Sequence, residues 1–415
     1  MAARTAVVAP ARRAAFDVLL RVFEDGAYAD RALRGAVAGL DDRDRALARQ
    51  LVFGTVQRAR TLDHAIETLG KRSVRRLDAP VRAALRLGAY QLAYLDGVPR
   101  YAAVNESVEL VRSVGLERAV SFTNAVLRRL AGGARALVES LPESTAVEAA
   151  LRHSYPDWVA ATWWRDLGRD EALSLMRAQN EPAETAVRLV RGEIEGTSDA
   201  DITGAWVVER VDETALAEGR IWPQSRGSQL AGLAVGACDG ERTLDLCAAP
   251  GGKATMLAGE VVAVEVNEAR ARELEENARL LGAANVRVVR ADGRELPADL
   301  TGFDRALVDA PCSGLGVLSA RPDLRWRGEP LPELQLQLLR AAAARVRPGG
   351  TVLYSVCTVN ADESEAVVDA SGFEADETLA GEWPQFRHAR RPEFLQTLPH
   401  VHGTSGFFIA RLRVP

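Results

Sequence analysis

From residue 229 onward, short apolar runs alternate with longer amphipathic segments, and this alternation restricts the fold more than any other feature of the chain. Five runs have the length and composition of strands: 243–246, 261–266, 286–289, 303–308 and 351–355. Helical segments separate most of them: 254–257, 268–281 and 333–346. Such alternation favours a parallel sheet wrapped by helices, which is an α/β, Rossmann-like, doubly wound fold.

The first third of the chain has a different pattern, because residues 10–135 have helical periodicity and no strand-like alternation. Phe16, Leu19, Leu20 and Phe23, for example, form one apolar stripe. The next segment, 145–225, is mixed, with short strand candidates at 185–190 and 205–208. We therefore predict a multidomain protein with three parts: an all-α domain (1–135), a small α+β linker domain (145–225) and the α/β domain (226–415).

The net charge of −5 conceals an asymmetry between these parts. Residues 1–145 hold 23 Lys and Arg against 16 Asp and Glu, a net charge of +7, whereas the remainder carries −12. A basic module on an acidic body suggests binding to nucleic acid. A solvated, arginine-rich helical surface would give the same balance, so charge alone leaves both interpretations open.

The usage of cysteine and histidine argues against a secreted or zinc-binding protein. The four cysteines form no CxxC pair, and free thiols are typical of a reducing compartment. His400 and His402 lie two residues apart without a nearby cysteine. No apolar run reaches the roughly 18 residues that a membrane span needs. We therefore expect a cytoplasmic protein without metal or membrane contact, and nothing in the composition predicts more than a monomer.

The segment 243–253 is predicted to run from a strand through a glycine turn into a helix, at the sheet edge where α/β proteins bind ligands. Four small residues would let the backbone approach a ligand closely: Ala248, Ala249, Gly251 and Gly252. The turn is neither GxGxxG nor GxxxxGK[ST]. A dinucleotide-dependent dehydrogenase and a P-loop NTPase are therefore both disfavoured.

Two carboxylates that follow the cofactor loop, Glu265 and Asp292, indicate a nucleoside site without a pyrophosphate clamp. Glu265 ends the second strand, where a carboxylate suits two ribose hydroxyls, and Asp292 follows the third, within reach of an adenine amino group. Lys253 is one of only two lysines beside 50 arginines, so a compact ammonium is favoured there. S-adenosylmethionine, which has no phosphate, fits this pattern. Each carboxylate alone would more often be a helix cap or turn residue, but the series of three strand ends favours the nucleoside site.

Two cysteines follow the fourth and fifth strands, in Asp309-Ala-Pro-Cys312 and Tyr354-Ser-Val-Cys357. A lone cysteine at a strand end is usually a small buried apolar residue. Two at neighbouring strand ends suggest chemistry, because carbon 5 of cytosine accepts a methyl group only after a thiolate has added to carbon 6. Asp309 is placed to assist at N3 of the base, which must be flipped out of its stack.

The motifs LDLCAAPGGKAT, FDRALVDAPCSGLG and LYSVCTVNADESE resemble those of the Sun/RsmB family of RNA cytosine-C5 methyltransferases. Residues 121–130, SFTNAVLRRL, resemble the NusB-type helical RNA-binding domain. The resemblance covers nearly the whole chain and implies a class I methyltransferase fold, S-adenosyl-L-methionine as cofactor and RNA as partner. The nearest family function is methylation of one cytosine of small-subunit ribosomal RNA.

The resemblance also implies roles for individual residues. The cofactor-binding residues would be Cys247, Ala248, Ala249, Pro250, Gly251, Gly252, Lys253, Glu265, Asp292 and Asp309. Asp309 would also lie beside the target base. Cys357 would be the nucleophile and Cys312 would assist product release, a division that rests on the resemblance because other cytosine methyltransferases attack with the Pro-Cys thiol.

Departures from the family pattern leave the RNA and the target cytosine open. Glu265 and Ser225 each stand where the family usually has Asp, and 188–191 lacks the usual Val-Asn ending. The alternative function is a non-enzymatic RNA-binding or antitermination factor that retains a methyltransferase fold. The presence of both thiols, Asp309 and Lys253 argues against it. A methyltransferase of small molecules or proteins would need neither paired thiols nor a basic helical module.

Overall fold

The computed structural model describes residues 8–415, which divide into two compact units. The first unit extends to Asn180 and adds a later segment, Leu318–Arg327. The second unit comprises Glu181–Val317 and Gly328–Pro415. Both the mixed segment after Asn180 and the strand-rich remainder therefore belong to one compact unit, whereas the three-part division remains a proposal.

The α-helices of residues 8–415 are numbered in chain order. Their bounds are α1 Pro10–Glu24, α2 Ala29–Ala36, α3 Asp42–Gln57, α4 Ala59–Gly70, α5 Ala79–Tyr94, α6 Arg100–Ser113, α7 Glu117–Glu139, α8 Ala146–His153, α9 Asp157–Leu167, α10 Arg169–Ala178, α11 Glu213–Ala217, α12 Arg226–Leu233, α13 Glu268–Leu280, α14 Leu324–Arg327, α15 Pro332–Ala343, α16 Glu365–Ser371, α17 Leu379–Glu382 and α18 Pro399–His402. Among residues 8–415, no helix combines the length and apolar character needed to cross a bilayer.

The first unit is all-α, as predicted, and contains α1 to α10 with α14. Phe16 and Leu19, from the apolar stripe of α1, are fully buried in its core. Helix starts follow the local sequence: the Asp41 side chain accepts a hydrogen bond from Asp44 N, and Thr145 with Glu148 forms a capping box at α8. Helices α8 to α10 lie in the proposed linker segment but pack in this helical unit.

The segment Leu318–Arg327 is anchored in the first unit by Arg325, whose side chain is fully buried. Its guanidinium donates to the carbonyl oxygens of Gln57 and Ser154, at 2.9 and 3.0 Å. The same group stacks on the ring of Tyr155, 3.8 Å from the centroid. Burial lowers the pKa of Arg325 to about 10, so the side chain remains charged at neutral pH.

Replacing this arginine should weaken the first unit. Arg325→Ala leaves buried carbonyl oxygens without a donor and opens a cavity, which together cost ~2–4 kcal/mol of unfolding free energy. Denaturant titration followed by circular dichroism measures the loss. Arg128→Ala, at an exposed position of α7, is the matched control and should change stability by less than ~0.5 kcal/mol. Equal stabilities for the two variants would contradict this account of the segment.

The strands of residues 8–415 all lie in the second unit. Their bounds are β1 Ala186–Leu189, β2 Thr197–Ser198, β3 Ala205–Val207, β4 Ile221–Pro223, β5 Arg242–Leu246, β6 Glu260–Glu265, β7 Val286–Arg290, β8 Phe303–Asp309, β9 Val346–Val356, β10 Glu374–Ala375, β11 Leu395–Thr397 and β12 Phe407–Arg413. The first four form an antiparallel sheet in the order β2-β3-β1-β4. The sequence predicted β1 and β3 of this sheet but neither β2 nor β4.

The larger sheet has the order β10-β12-β9-β8-β5-β6-β7, with β11 paired to β12. The five strands predicted from the sequence, β5 to β9, are parallel, and β12 adds to β9 in the antiparallel direction. Alternate residues face opposite sides, so Leu244 and Val262 enter one core while Val261 and Ala263 enter the other. The predicted α/β, Rossmann-like class is confirmed, with a mixed rather than purely parallel sheet.

The strand order reverses beside β5, which lies between β6 and β8. Ligands of open α/β sheets bind in the crevice outside the carboxyl ends of the strands at such a reversal. The segment after β5, the motif after β8 and the motif after β9 all emerge at this edge. The topology therefore places the cofactor segment and both cysteine motifs at one edge of the sheet.

Candidate active site

An ion pair connects the cofactor segment to the end of β8. Lys253 Nζ lies 2.7 Å from Asp309 Oδ2, and Ser355 Oγ of β9 donates to Asp309 Oδ1 at 2.8 Å. The same ammonium lies 5.1 Å from the centroid of the Phe407 ring, within the range of a cation–π contact. A compact ammonium can contact the carboxylate and the ring together. This agrees with the inference from the sequence that position 253 favours a lysine over an arginine.

The two cysteines of the sequence motifs are adjacent in space. Cys312 Sγ lies 3.5 Å from Cys357 Sγ, and both residues are half-buried. The hydrogen bond to Cys357 and burial together raise the pKa of Cys312 well above that of a free thiol. Cys312 therefore remains a protonated thiol at neutral pH, able to donate to the neighbouring sulfur.

The segment after β5 turns sharply because Cys247 and Gly251 adopt positive φ angles, 62° and 106°. The φ of 106° at Gly251 is one that residues with a side chain rarely adopt, and a Cβ there would lie 2.6 Å from Leu274 Cδ1, so both features favour glycine. From α13, Arg270 donates to Ala249 O. The helix expected after Lys253 is only a 3₁₀ turn, Ala254–Met256.

Cys247 also lies beside the site, but its burial argues against a role as nucleophile. Burial raises the pKa of its thiol to about 12, which leaves almost no thiolate at neutral pH. The residue instead contributes a left-handed backbone conformation to the turn. Its predicted place in the cofactor wall is consistent with that position.

Two buried carboxylates beside the turn have unused hydrogen-bond acceptors. Glu265 Oε1 accepts from Asn267 N, whereas Oε2 accepts no hydrogen bond from any residue of 8–415, although Arg270 Nη1 lies 3.5 Å away. Asp245 in β5 is fully buried, and neither of its carboxylate oxygens has a hydrogen-bond donor in the described part of the chain. Burial, followed by the charge of Asp309, raises the pKa of Asp245 well above its usual value.

These orphaned acceptors fit a ligand that brings donors, such as the ribose hydroxyls and ammonium group of S-adenosylmethionine. Sequence reasoning assigned Glu265 to this role but overlooked Asp245, because it considered only strand ends and turns. The available signal was a charged residue within the apolar strand LDL.

Asp292 is at the expected strand edge but already forms an ion pair with Arg294. The Arg294 guanidinium contacts both carboxylate oxygens, with a closest distance of 2.6 Å, and it holds the pKa of Asp292 at about 2. A contact to adenine would therefore have to share this carboxylate with Arg294, and the predicted role stays a prediction. Among residues 8–415, no cluster of three His, Cys, Asp or Glu side chains has the geometry of a metal site.

Comparison with known proteins identifies the family. Residues 9–132 match the NusB family, and residues 233–413 match the family described as 16S rRNA methyltransferase RsmB/F. The ribosomal RNA small subunit methyltransferase B of Thermus thermophilus is 37% identical over 97% of this chain and 97% of its own length. The chain belongs to the RsmB/F family of 16S rRNA methyltransferases. The resemblance noted in the sequence, including its NusB-like domain, is confirmed.

Further relatives agree with this assignment. A putative methyltransferase of Mycobacterium tuberculosis, Rv1407, is 37% identical over 97% of this chain and 96% of its own length. Among solved structures, PH0851 superimposes with a TM-score of 0.82 at 22% identity, covering 98% of this chain and 99% of that one. NSun6 from Pyrococcus horikoshii, solved with SFG, gives 0.53 at 23% identity, covering 63% of this chain and 99% of that one. These two structures support the fold.

The RsmB/F member described here is an S-adenosylmethionine-dependent RNA methyltransferase, and the predicted enzyme class, cofactor and RNA partner are confirmed. When bound, the cofactor supplies an electrophilic methyl group on a positively charged sulfur. The residues that would hold it are the turn Cys247–Lys253 with Glu265 and Asp245. The assignment of each side chain remains a proposal.

A change at Glu265 tests the cofactor site. Glu265→Gln replaces one carboxylate acceptor by an amide and removes a charge-assisted hydrogen bond of about 1.5–3 kcal/mol, so the Kd for S-adenosylmethionine should rise about 10- to 100-fold. Titration calorimetry measures it directly. Glu273→Gln, exposed on α13, removes the same charge and should leave the Kd unchanged. Equal Kd values for Glu265→Gln and wild type would exclude Glu265 from the site.

Proposed function

We propose that this enzyme methylates carbon 5 of a cytosine in small-subunit ribosomal RNA through a covalent bond between Cys357 and carbon 6 of the base. The observation that carries the proposal is the pair of thiols 3.5 Å apart, at the carboxyl ends of β8 and β9, beside the Lys253–Asp309 ion pair. Methylation of an amino group or hydroxyl would need no second thiol. The substrate assignment rests on the relatives named for small-subunit ribosomal RNA.

In the first step the Cys357 thiolate adds to carbon 6 of the flipped-out cytosine. Negative charge then spreads over carbon 5 and the N3 side of the ring, and the proton that left the Cys357 thiol binds at N3 and neutralises it. Asp309 is proposed to face this edge of the base, with its carboxylate oriented by Lys253 and Ser355. Because Asp309 is fixed from both sides, the base can be aligned without reorganising the site.

Carbon 5 of the adduct is then nucleophilic and takes the methyl group. The proton on carbon 5 is lost to solvent water, the bond between sulfur and carbon 6 breaks, and its electron pair returns to Cys357. The proton at N3 returns to the Cys357 sulfur as the 5-methylcytosine leaves. We propose that the Cys312 thiol donates a hydrogen bond to the departing sulfur, a role that its raised pKa supports because the donor proton is retained.

We also propose a role for each domain of the chain. The helical domain, residues 1–135, lies within the basic third of the chain and would contact RNA phosphates. The linker domain would comprise residues 145–225, and the catalytic domain would comprise residues 226–415. Arg and Lys contacts to phosphates suit that basic charge balance. We propose a cytoplasmic monomer that needs no metal.

Transfer of labelled methyl groups from S-adenosylmethionine to unmodified small-subunit ribosomal RNA tests the function. Digestion to nucleosides should give the label in 5-methylcytidine. Label in N4-methylcytidine would refute the thiol chemistry, because an amino group needs no covalent activation. Transfer to another RNA but not to this one would overturn the substrate assignment. A lack of transfer to any RNA would favour the non-enzymatic factor.

A further inference from the structure

A buried carboxylate of the Cys357 motif accepts hydrogen bonds from the Cys312 motif. Glu363 is in the 3₁₀ turn Ala361–Glu363, six residues after Cys357, and its side chain is 0% exposed. No ion pair of Glu363 with a Lys, Arg or His occurs in the part of the chain that the structure describes. A buried carboxylate without a counter-ion is costly unless hydrogen-bond donors compensate for the lost water.

Five donors provide that compensation. Oε1 accepts from Ser313 N at 3.0 Å, from Leu331 N at 3.0 Å and from Gln335 Nε2 at 2.9 Å. Oε2 accepts from Asn360 Nδ2 at 3.2 Å and from Ser313 Oγ. The donors come from three separate segments: the Cys312 motif, the start of α15 and the chain after Cys357. One carboxylate thus joins all three.

The Cys312 backbone is held on both sides by this arrangement. On its C-terminal side, Ser313 donates hydrogen bonds to Glu363 from both its backbone N–H and its hydroxyl. On its N-terminal side, Gln335 Nε2 donates to Pro311 O at 2.9 Å and also donates to Glu363. A displacement of the carboxylate would therefore move the residues on both sides of the Cys312 thiol.

We propose that Glu363 is a positioning residue that acts through Cys312, by holding this thiol against Cys357 for the release of the methylated base. The proposal deepens the proposed function and rests on it. Glu363 touches neither substrate nor cofactor in this role. A shift of the order of 1 Å in a reacting group can cost about 100-fold in rate, so the anchor of the loop matters as much as the thiol itself.

The charge of Glu363, like its position, supports the proposed role of Cys312. After the hydrogen bond to Cys357, burial and the charge of Cys357, the Glu363 carboxylate is a further cause of the raised pKa of Cys312. The pKa of Tyr354 is raised first by burial and then by the charges of Cys312 and Glu363, and the Tyr354 hydroxyl donates to Glu363 O at 2.6 Å. The carboxylate therefore favours a proton on Cys312, and the hydrogen bond to the departing sulfur needs that proton.

The test uses Glu363→Gln in the full-length enzyme. An amide nitrogen at either oxygen position would face N–H donors, so the Cys312 loop should shift. We expect kcat to fall about 10-fold, KM for RNA and for S-adenosylmethionine to change less than about threefold, and a covalent RNA–protein adduct to accumulate. Glu333→Gln, exposed in the first turn of α15, removes the same charge and should behave like wild type. Ser313→Ala, which removes one donor, should show the same effect more weakly.

Non-additivity separates positioning through Cys312 from a general loss of structure. In a Cys312→Ala background, Glu363→Gln should slow release by less than about twofold further, because the thiol it positions is absent. Full additivity, or an equal loss in the rate of adduct formation, would overturn the proposal. If wild type forms no 5-methylcytosine, the proposed function fails. If wild type and Cys312→Ala behave as expected while Glu363→Gln matches wild type, only the role of Glu363 fails.

Discussion

Cys357→Ala is expected to lower the rate of methyl transfer to small-subunit ribosomal RNA by at least about 1,000-fold. Without a thiolate at carbon 6, carbon 5 of cytosine remains a poor nucleophile, and the neighbouring Cys312 thiol, which keeps its proton, is not expected to replace the lost covalent step. Binding should persist, because Cys357 contributes one small side chain to the site. Steady-state transfer of labelled methyl groups gives the rate, and calorimetry gives the Kd for S-adenosylmethionine.

Cys238→Ala is the matched control for this substitution. Cys238 is an exposed cysteine before β5, outside the proposed site, and its loss should leave the rate within about twofold of wild type. A Cys357→Ala enzyme that keeps a tenth or more of wild-type activity would refute Cys357 as the nucleophile. The attack would then have to be assigned to Cys312.

Cys312→Ala is expected to slow turnover about 10- to 100-fold and to trap the enzyme on its RNA. The thiol of Cys312 lies 3.5 Å from the sulfur that must leave. Loss of a hydrogen bond to a charged leaving group costs about 1.5–3 kcal/mol, while attack by Cys357 and methyl transfer need no such donor. An adduct that resists denaturation should therefore accumulate, and denaturing gel electrophoresis with labelled RNA measures it.

The double variant Cys312→Ala/Cys357→Ala is the control for the trapped species, and it should form no adduct. Slow turnover of Cys312→Ala without any adduct would place Cys312 at or before the attack. An adduct formed equally by single and double variants would show that neither cysteine carries the base.

The elements that sequence periodicity could predict are those whose pattern is local. Strands β5 to β9 and helices α1 to α7 follow from the hydrophobic pattern of the sequence alone. Strands β2 and β4 have two and three residues, which is too short to show a hydrophobic alternation. The antiparallel β12 was missed although it is seven residues long, because nothing local shows that a chain end returns to pair with β9.

The residues of the site also divide into those with a local sequence pattern and those without one. Cys312, Cys357, Asp309 and Lys253 were predicted because each follows a recognisable strand or turn, and the structure brings all four to one edge. Glu363 and Arg325 were not singled out, since their roles depend on partners far away in sequence. Glu363 lies 50 residues from Ser313, and Arg325 lies 268 residues from Gln57. Burial of a charged residue is a tertiary property that a single sequence does not display.

The covalent bond to the base tests the central claim most directly. The adduct of Cys312→Ala with small-subunit ribosomal RNA would be digested with protease and nuclease, and the modified peptide would be sequenced by mass spectrometry. We predict a single modified residue, Cys357, carrying a cytidine nucleotide whose mass includes one added methyl group. A cytidine nucleotide on any other residue would contradict the account, as would the absence of an adduct from an RNA that the wild-type enzyme methylates.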